Sequence, residues 1–252
     1  MSALQPTAVS PTEYLEVVER ALQTIGAADP TLPVALGPGR TVADVVDWTA
    51  GFAAAATEQL SSVALAPCRP LLTVPGLAVA APALLDALAT APPRRPCWTP
   101  SAAVAPQAQV WLRRSAHALS VRAWQVLVAM DDPASLPSWL ALDGIDEHLQ
   151  VLLAIACVDP ELAAGRAAGT ISVRCTDAAA RWTLRLQPGC VPLSVADDED
   201  DQADVTLSAE AGLVADAELV ADAATLRLGM AGMLPLPQGR GEPALLAALR
   251  LR

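Results

Sequence analysis

Residues 107–130 read QAQVWLRRSAHALSVRAWQVLVAM and form the longest helical pattern in the chain. His117, Val121, Trp124 and Val128 recur at the spacing of a single helix face, which predicts an amphipathic helix packed against a core. The fold of the N-terminal part of the chain depends on which other helices pack around this one.

Three further helices are predicted around this segment. Ser10-Pro11-Thr12-Glu13 has the pattern of a capping box and starts the first of them, Thr41 opens the second, and Asp143 opens the third. Residues 66–106 carry nine prolines and predict a long irregular connection with one short helix near Ala81–Leu88. Such a connection forms either a functional lid or pocket wall, or an extended surface crossover. We therefore predict a four-helix bundle with a long crossover, within a domain spanning residues 1–165.

The periodicity changes near Gly169, where apolar and polar residues begin to alternate. The alternation over residues 171–175 and 182–186 predicts a β-hairpin, and Val191–Val195 predicts a third strand. Val205 and Leu207 predict a fourth strand. Helices are expected near Glu210–Leu226 and Pro243–Leu249. Residues 166–252 thus predict a smaller α+β domain, so that the whole chain combines a helical with an α+β domain.

Composition excludes several classes of function. Apolar residues make up 53% of the 252 residues, and the formal net charge is −11. All 16 basic residues are arginine, so lysine Schiff-base and P-loop chemistry are excluded. The acidic balance argues against nucleic-acid and membrane-surface partners. The five scattered cysteines, with no CxxC pair, and a start without the pattern of a signal peptide predict a reduced, cytoplasmic protein.

Several segments, taken in order, resemble the mycothiol-dependent maleylpyruvate isomerase family. They are Thr41–Val46, Trp111–His117, Asp143–Leu149 and the stretch from Thr176-Asp177 to Arg181–Leu184, followed by Ala203–Leu207. The resemblance implies a DinB/YfiT-like helical bundle followed by a sterol-carrier-like α+β domain. It also implies chemistry based on a divalent metal, usually zinc, which activates mycothiol as a thiolate.

The positions at which this family holds its metal carry other residues here. The resemblance places the three ligands at Trp48, Ala118 and Arg122, and it replaces an Asp after Trp124 by Gln125. None of the three can ligate a metal, and the charge of Arg122 opposes a cation. We therefore expect no metal and no cofactor, with zinc or mycothiol used only if the family chemistry survives on unorthodox ligands.

The residues around that lost metal site are the candidate functional residues. His117 is either a hydrogen-bonded core histidine or a general acid/base, and Trp48 either plugs the old cavity or forms its wall. Arg122 either forms a salt bridge with an acid such as Asp47 or binds an anionic group of a substrate. The candidate catalytic residues are thus His117 and Arg122. The candidate pocket residues are Trp48, Asp47, Trp111, Ala118, Trp124 and Gln125.

Two other features are predicted to be structural. His148 is a surface or packing residue, and the acidic run Asp197–Asp201 is a solvated loop because it lacks the spacing of a calcium loop.

Three functions are consistent with these patterns. The first is a metal-free, repurposed member of the family that isomerises or cyclises an apolar small molecule with an anionic oxygen. The second is a non-catalytic binding or scaffold protein that keeps the fold. The third is a mycothiol-dependent isomerase or transferase with unorthodox ligands. The expected partner is a small molecule, not a nucleic acid or a membrane.

Overall fold

The computed structural model describes residues 9–34, 41–62, 64–68, 73–132, 135–159, 161, 167–187, 189–190, 192–195 and 217–249. Contacts divide the described residues into two units, one up to Leu140 and the other from Ala141. Helices and a β-sheet are both present, which confirms the mixed α+β class in outline. The predicted domain boundary between residues 165 and 166 stays a prediction.

Four complete helices lie within the described residues of the first unit, and each of them contacts the other three. They are α1 (Pro11–Ala27), α2 (Val42–Ser61), α3 (Leu77–Thr90) and α4 (Ala108–Ala129). Their shared core is built mostly from small and branched apolar side chains, among them Ile25, Ala53, Leu84 and Leu119, each fully buried.

Capping boxes begin α1 and α2, as the sequence predicts. The backbone N–H of Ser10 donates to Glu13 Oε2 at 2.8 Å, and the backbone N–H of Glu13 donates back to Ser10 Oγ at 3.2 Å. Hydrogen bonds from Ser10 to the Glu13 carboxylate, first of all from the Ser10 backbone N–H, lower the pKa of the Glu13 carboxyl below its usual value. At α2 the backbone N–H of Thr41 donates to Asp44 Oδ2 at 2.8 Å. Both helices therefore begin where side chains satisfy backbone donors.

The short helix predicted near Ala81–Leu88 is confirmed, but it is longer than expected and covers residues 77–90. They form α3, which buries Ala80, Leu84 and Leu88 in the core of the first unit. Pro82 lies inside this helix and removes one backbone hydrogen bond. Burial of the leucines offsets that loss, so a segment rich in proline still forms a full member of the helical unit.

The helix predicted to open at Asp143 begins earlier. Helix α5 spans Ser138–Glu147, a π-helical turn covers His148–Leu152, and α6 spans Leu153–Val158. Asp143 is therefore a buried residue inside α5 and not its cap. His148 is fully buried, and its Nε2 lies 2.6 Å from the carbonyl oxygen of Leu249, so it packs within the second unit and is not a surface residue.

The second unit contains a five-stranded sheet among the described residues, in the order β3-β2-β1-β4-β5. The strands are β1 (Gly169–Cys175), β2 (Arg181–Leu186), β3 (Leu193–Val195), β4 (Ala217–Ala221) and β5 (Arg240–Gly241). Strands β1 and β2 form the predicted antiparallel hairpin, whereas β1 and β4 pair in parallel. Strand β3 falls within the third predicted strand.

The helix predicted near Glu210–Leu226 is wrong over residues 217–221, which form β4. The stretch AELVA has the composition of a helix, but pairing with β1 overrides this weak preference and buries Leu219 completely. Helix α7 (Ala223–Met230) follows, and α8 (Pro243–Ala248) confirms the last predicted helix. The predicted strand at Val205 and Leu207 and the acidic run at residues 197–201 lie outside the described residues.

Candidate functional site

A small pocket lies where the first turns of α2 face the C-terminal half of α4. Its lining residues are Val34, Asp44, Val45, Trp48, Arg122 and Gln125. The volume open to the centre of a water molecule is about 30 Å³. Since one water needs about 10–15 Å³ of such space, the pocket holds about two water-sized atoms. It suits one small polar group and not the whole body of a larger molecule.

The guanidinium group of Arg122 is held at this pocket from two sides. Its central carbon lies 4.3 Å from the centre of the Trp48 ring, a cation–π contact between α4 and α2. Its Nη1 donates to Gln125 Oε1 at 2.6 Å, across one turn of α4. Arg122 therefore presents a positive charge in a defined position. Arg122 thus lies opposite Trp48, as expected from the positions that the family resemblance assigns to one lost metal site.

The side-chain amide of Gln125 adds a buried, unsatisfied hydrogen-bond donor beside Arg122. Arginine can only donate, so its bond to Gln125 identifies the accepting atom as Oε1 and leaves the Nε2 amide facing elsewhere. Nε2 is buried, and within the described part of the chain it has no hydrogen-bond partner. A buried donor without an acceptor costs about 1–3 kcal/mol, and such groups commonly mark a site for an acceptor. Nε2 is shielded from solvent, so contact with a bound oxygen requires the carboxamide to turn toward the pocket.

Trp48 forms a wall of the pocket, and protein groups already pack on its ring. Phe52 stacks on it with ring centres 5.4 Å apart and an interplanar angle of 12°. The guanidinium of Arg122 lies over the same indole. Trp48 is still 38% exposed, so its edge remains available at the mouth of the pocket. Of the two predicted roles, the pocket wall describes its position, with Arg122 as its stacking partner.

The structure does not bring His117 to the pocket. His117 is 1% exposed, and its ring meets the Tyr14 ring edge-on at 6.1 Å, on the side of α4 that faces α1. Five residues separate it from Arg122, so the two side chains leave α4 about 140° apart. The prediction that His117 acts as an acid or base on a group held by Arg122 loses its geometric basis. The core-histidine alternative agrees with this burial.

The other predicted pocket residues lie away from the lining. Trp111 is buried and donates from its Nε1 to the carbonyl oxygen of Trp98 at 2.7 Å. Ala118 is buried, Trp124 is partly buried, and Asp47 is solvent-exposed. Of the predicted residues, Trp48, Arg122 and Gln125 are the ones that the pocket brings together.

Sequence reasoning missed Asp44, Val34 and Val45. The sequence pattern at the start of α2 predicts only a capping role for Asp44. Asp44 nevertheless lies four residues before Trp48 and therefore on the same face of α2. That spacing is the signal by which it could have been found. Val34 precedes residues outside the described set, and no motif marks it.

The positions implied as metal ligands do not fit a divalent cation. Ala118 has no donor atom, Trp48 offers only an indole N–H, and Arg122 carries a positive charge. Within the ranges that the structure describes, no group of three or more His, Cys, Asp and Glu side chains could hold a metal ion. The chemistry of these side chains suits an anion better than a cation.

The cysteines differ strongly in burial. Cys190 is exposed and Cys68 partly so, whereas Cys97, Cys157 and Cys175 are buried. Burial raises the pKa of the Cys97 thiol, and burial together with Asp177 and Asp222 raises the pKa of Cys175 to about 11. The thiolate is the reactive form, so at neutral pH the Cys175 thiol is almost entirely protonated and reacts slowly.

At pH 8, iodoacetamide is therefore expected to alkylate Cys190 first and Cys68 next. Cys97, Cys157 and Cys175 should react only after unfolding, as measured by mass spectrometry of peptides from native and denatured samples. Equal rates for Cys175 and Cys190 in the native protein would contradict this.

No family model, curated protein or solved structure matches the chain. The resemblance to the maleylpyruvate isomerase family therefore stays a prediction. Among the described helices, none has the length and apolar character needed to cross a membrane.

Proposed function

We propose that the first unit binds an anionic small molecule without a metal, in the pocket at Arg122. We propose further that the chain is a divergent relative of the mycothiol-dependent maleylpyruvate isomerase family, with a DinB-like bundle and a sterol-carrier-like α+β domain. The observation that carries the binding proposal is the arginine held against Trp48 and bonded to Gln125 at the pocket. A guanidinium so arranged has lost much of its side-chain freedom before it meets an anion.

The size of the pocket indicates which part of the ligand it receives. About 30 Å³ accommodates a carboxylate or enolate oxygen, with the rest of the ligand at the mouth. Trp48, Val34 and Val45 supply apolar surface in the lining. An apolar molecule with one anionic end therefore fits both parts of the site.

The geometry favours binding over isomerisation or cyclisation. Either reaction needs a group that moves a proton at the bound molecule, and His117 faces α1. Apart from Arg122, the titratable group in the lining is Asp44, and the described lining offers no second acid or base to work with it on a bound molecule. We therefore rank a non-catalytic binding protein ahead of a metal-free isomerase or cyclase.

Binding can be tested with two molecules of the same shape. 4-Methylpentanoate carries a carboxylate, whereas 4-methylpentanamide is neutral. We expect the carboxylate to shift the indole N–H signal of Trp48 saturably in ¹H–¹⁵N spectra, and the amide to leave it nearly unchanged, because only the former pairs with Arg122. The spectrum contains six tryptophan indole groups, and the Trp48→Phe variant assigns the signal.

The same titration after dialysis against a chelator should give the same dissociation constant, since no metal takes part. Equal effects of carboxylate and amide, or no effect of either, would contradict the proposed function. Loss of binding on chelation would contradict its metal independence.

A further inference from the structure

We propose that the ligand of this pocket is a zwitterion, namely an α-amino acid with an apolar side chain. This inference rests on the proposed function, because it assigns the carboxylate of the amino acid to Arg122. It adds a second contact, between the ammonium group and Asp44. The observation behind it is that Asp44 and Arg122 line the same small pocket with opposite charges.

Asp44 retains the capacity to accept a further donor. Its Oδ2 accepts the backbone N–H of Thr41 at 2.8 Å, which caps α2. A carboxylate offers about four lone-pair positions, so the cap uses only part of it. The residue is exposed at the rim, where an ammonium group can approach from solvent.

The pocket is small enough for a single head group to reach both charges. In an α-amino acid the ammonium and carboxylate are attached to the same carbon, so the two charges lie within one small group. Because the space of about 30 Å³ receives only a few atoms, the carboxylate enters it beside Arg122, and the ammonium group on the neighbouring carbon meets Asp44 at the exposed rim. The apolar side chain then meets Val34, Val45 and the edge of Trp48.

Charge balance also argues against other anions. A dianion such as phosphate gains from Arg122 but is repelled by Asp44 across the same pocket. A simple monocarboxylate gains only the contact with Arg122. A zwitterion pairs favourably with both charges.

The test compares L-leucine with 4-methylpentanoate, which differ only in the amino group. The dissociation constant of each molecule is measured at pH 7 by titration of the wild-type protein and of the Asp44→Asn variant. The side-chain oxygen of asparagine can still accept the Thr41 N–H at this third helical position, so the variant should keep α2, with only a small drop in melting temperature from the loss of a negative charge near the helix N-terminus. In the wild type we expect L-leucine to bind about three- to fivefold more tightly than 4-methylpentanoate, the size of an exposed ion pair. In Asp44→Asn this ratio should fall to about one.

The outcomes separate this inference from the proposed function. If 4-methylpentanoate binds the wild type as tightly as L-leucine does, the zwitterion is wrong, although the pocket still binds an anion. The same conclusion follows if the preference for L-leucine persists in Asp44→Asn. If neither molecule binds, both proposals fail.

Discussion

Replacing Arg122 by methionine is expected to weaken the binding of 4-methylpentanoate by about tenfold to a hundredfold. A hydrogen bond to a charged group contributes about 1.5–3 kcal/mol, and each 1.4 kcal/mol is a factor of ten in the dissociation constant. Methionine keeps the unbranched stem and a good helix propensity, so α4 should remain intact. The dissociation constant is measured by calorimetry, with thermal melting as the check on folding.

Two further variants make this result specific. Arg94→Met removes one positive charge from an exposed position outside the pocket lining and should leave the affinity unchanged. Arg122→Lys keeps the charge but loses the planar stacking on Trp48 and the fork of donors, so its affinity should lie between wild type and Arg122→Met. Wild-type affinity in a folded Arg122→Met variant would contradict the assignment of this arginine.

Replacing Gly239 by alanine is expected to give the largest loss of stability. A Cβ at this position would lie 2.5 Å from Leu246 Cδ1 and 2.6 Å from the carbonyl oxygen of Glu218. Leu246 lies on α8 and Glu218 on β4, so the added atom would push the helix and the strand apart. Overpacking of this kind typically costs about 1–3 kcal/mol in the free energy of unfolding. Urea denaturation measures the change.

Gly51→Ala provides the matched control. Gly51 lies inside α2, and the nearest contact to an added Cβ is Val74 Cγ1 at 4.0 Å. Alanine is better than glycine in a helix by about 0.8–1.0 kcal/mol, so this variant should be slightly more stable. If both substitutions changed the free energy of unfolding in the same direction, the close contacts described around Gly239 would be contradicted.

The parts of the fold that could be predicted are those set by local chemistry. The Ser10 and Thr41 caps identify where two helices begin because a side chain there must satisfy backbone donors. The alternation around Val173 identifies the hairpin because strand residues point to opposite faces. Arg122 and Gln125 were identified through the family resemblance, and their spacing of three residues predicts that they share a helix face.

The parts that were missed depend on contacts between distant segments. The helix expected near Ala81–Leu88 begins earlier, at Leu77, so that Pro82 lies inside it, and the burial of Leu84 and Leu88 offsets the backbone hydrogen bond that Pro82 removes. Residues 217–221 have a helical composition, and only pairing with β1 makes them a strand. His117 belonged to the correct helix, but the face it presents depends on where α1 packs, which no local pattern states.

The anion site at Arg122 is best tested by a crystal structure of the protein with 4-methylpentanoate bound. We expect the carboxylate in the pocket between α2 and α4, with one oxygen within hydrogen-bond distance of the Arg122 guanidinium, the Gln125 carboxamide turned toward the ligand, and the apolar chain against Trp48. A carboxylate bound elsewhere, or a pocket in which Arg122 makes no contact with it, would show that Arg122 does not bind the anion.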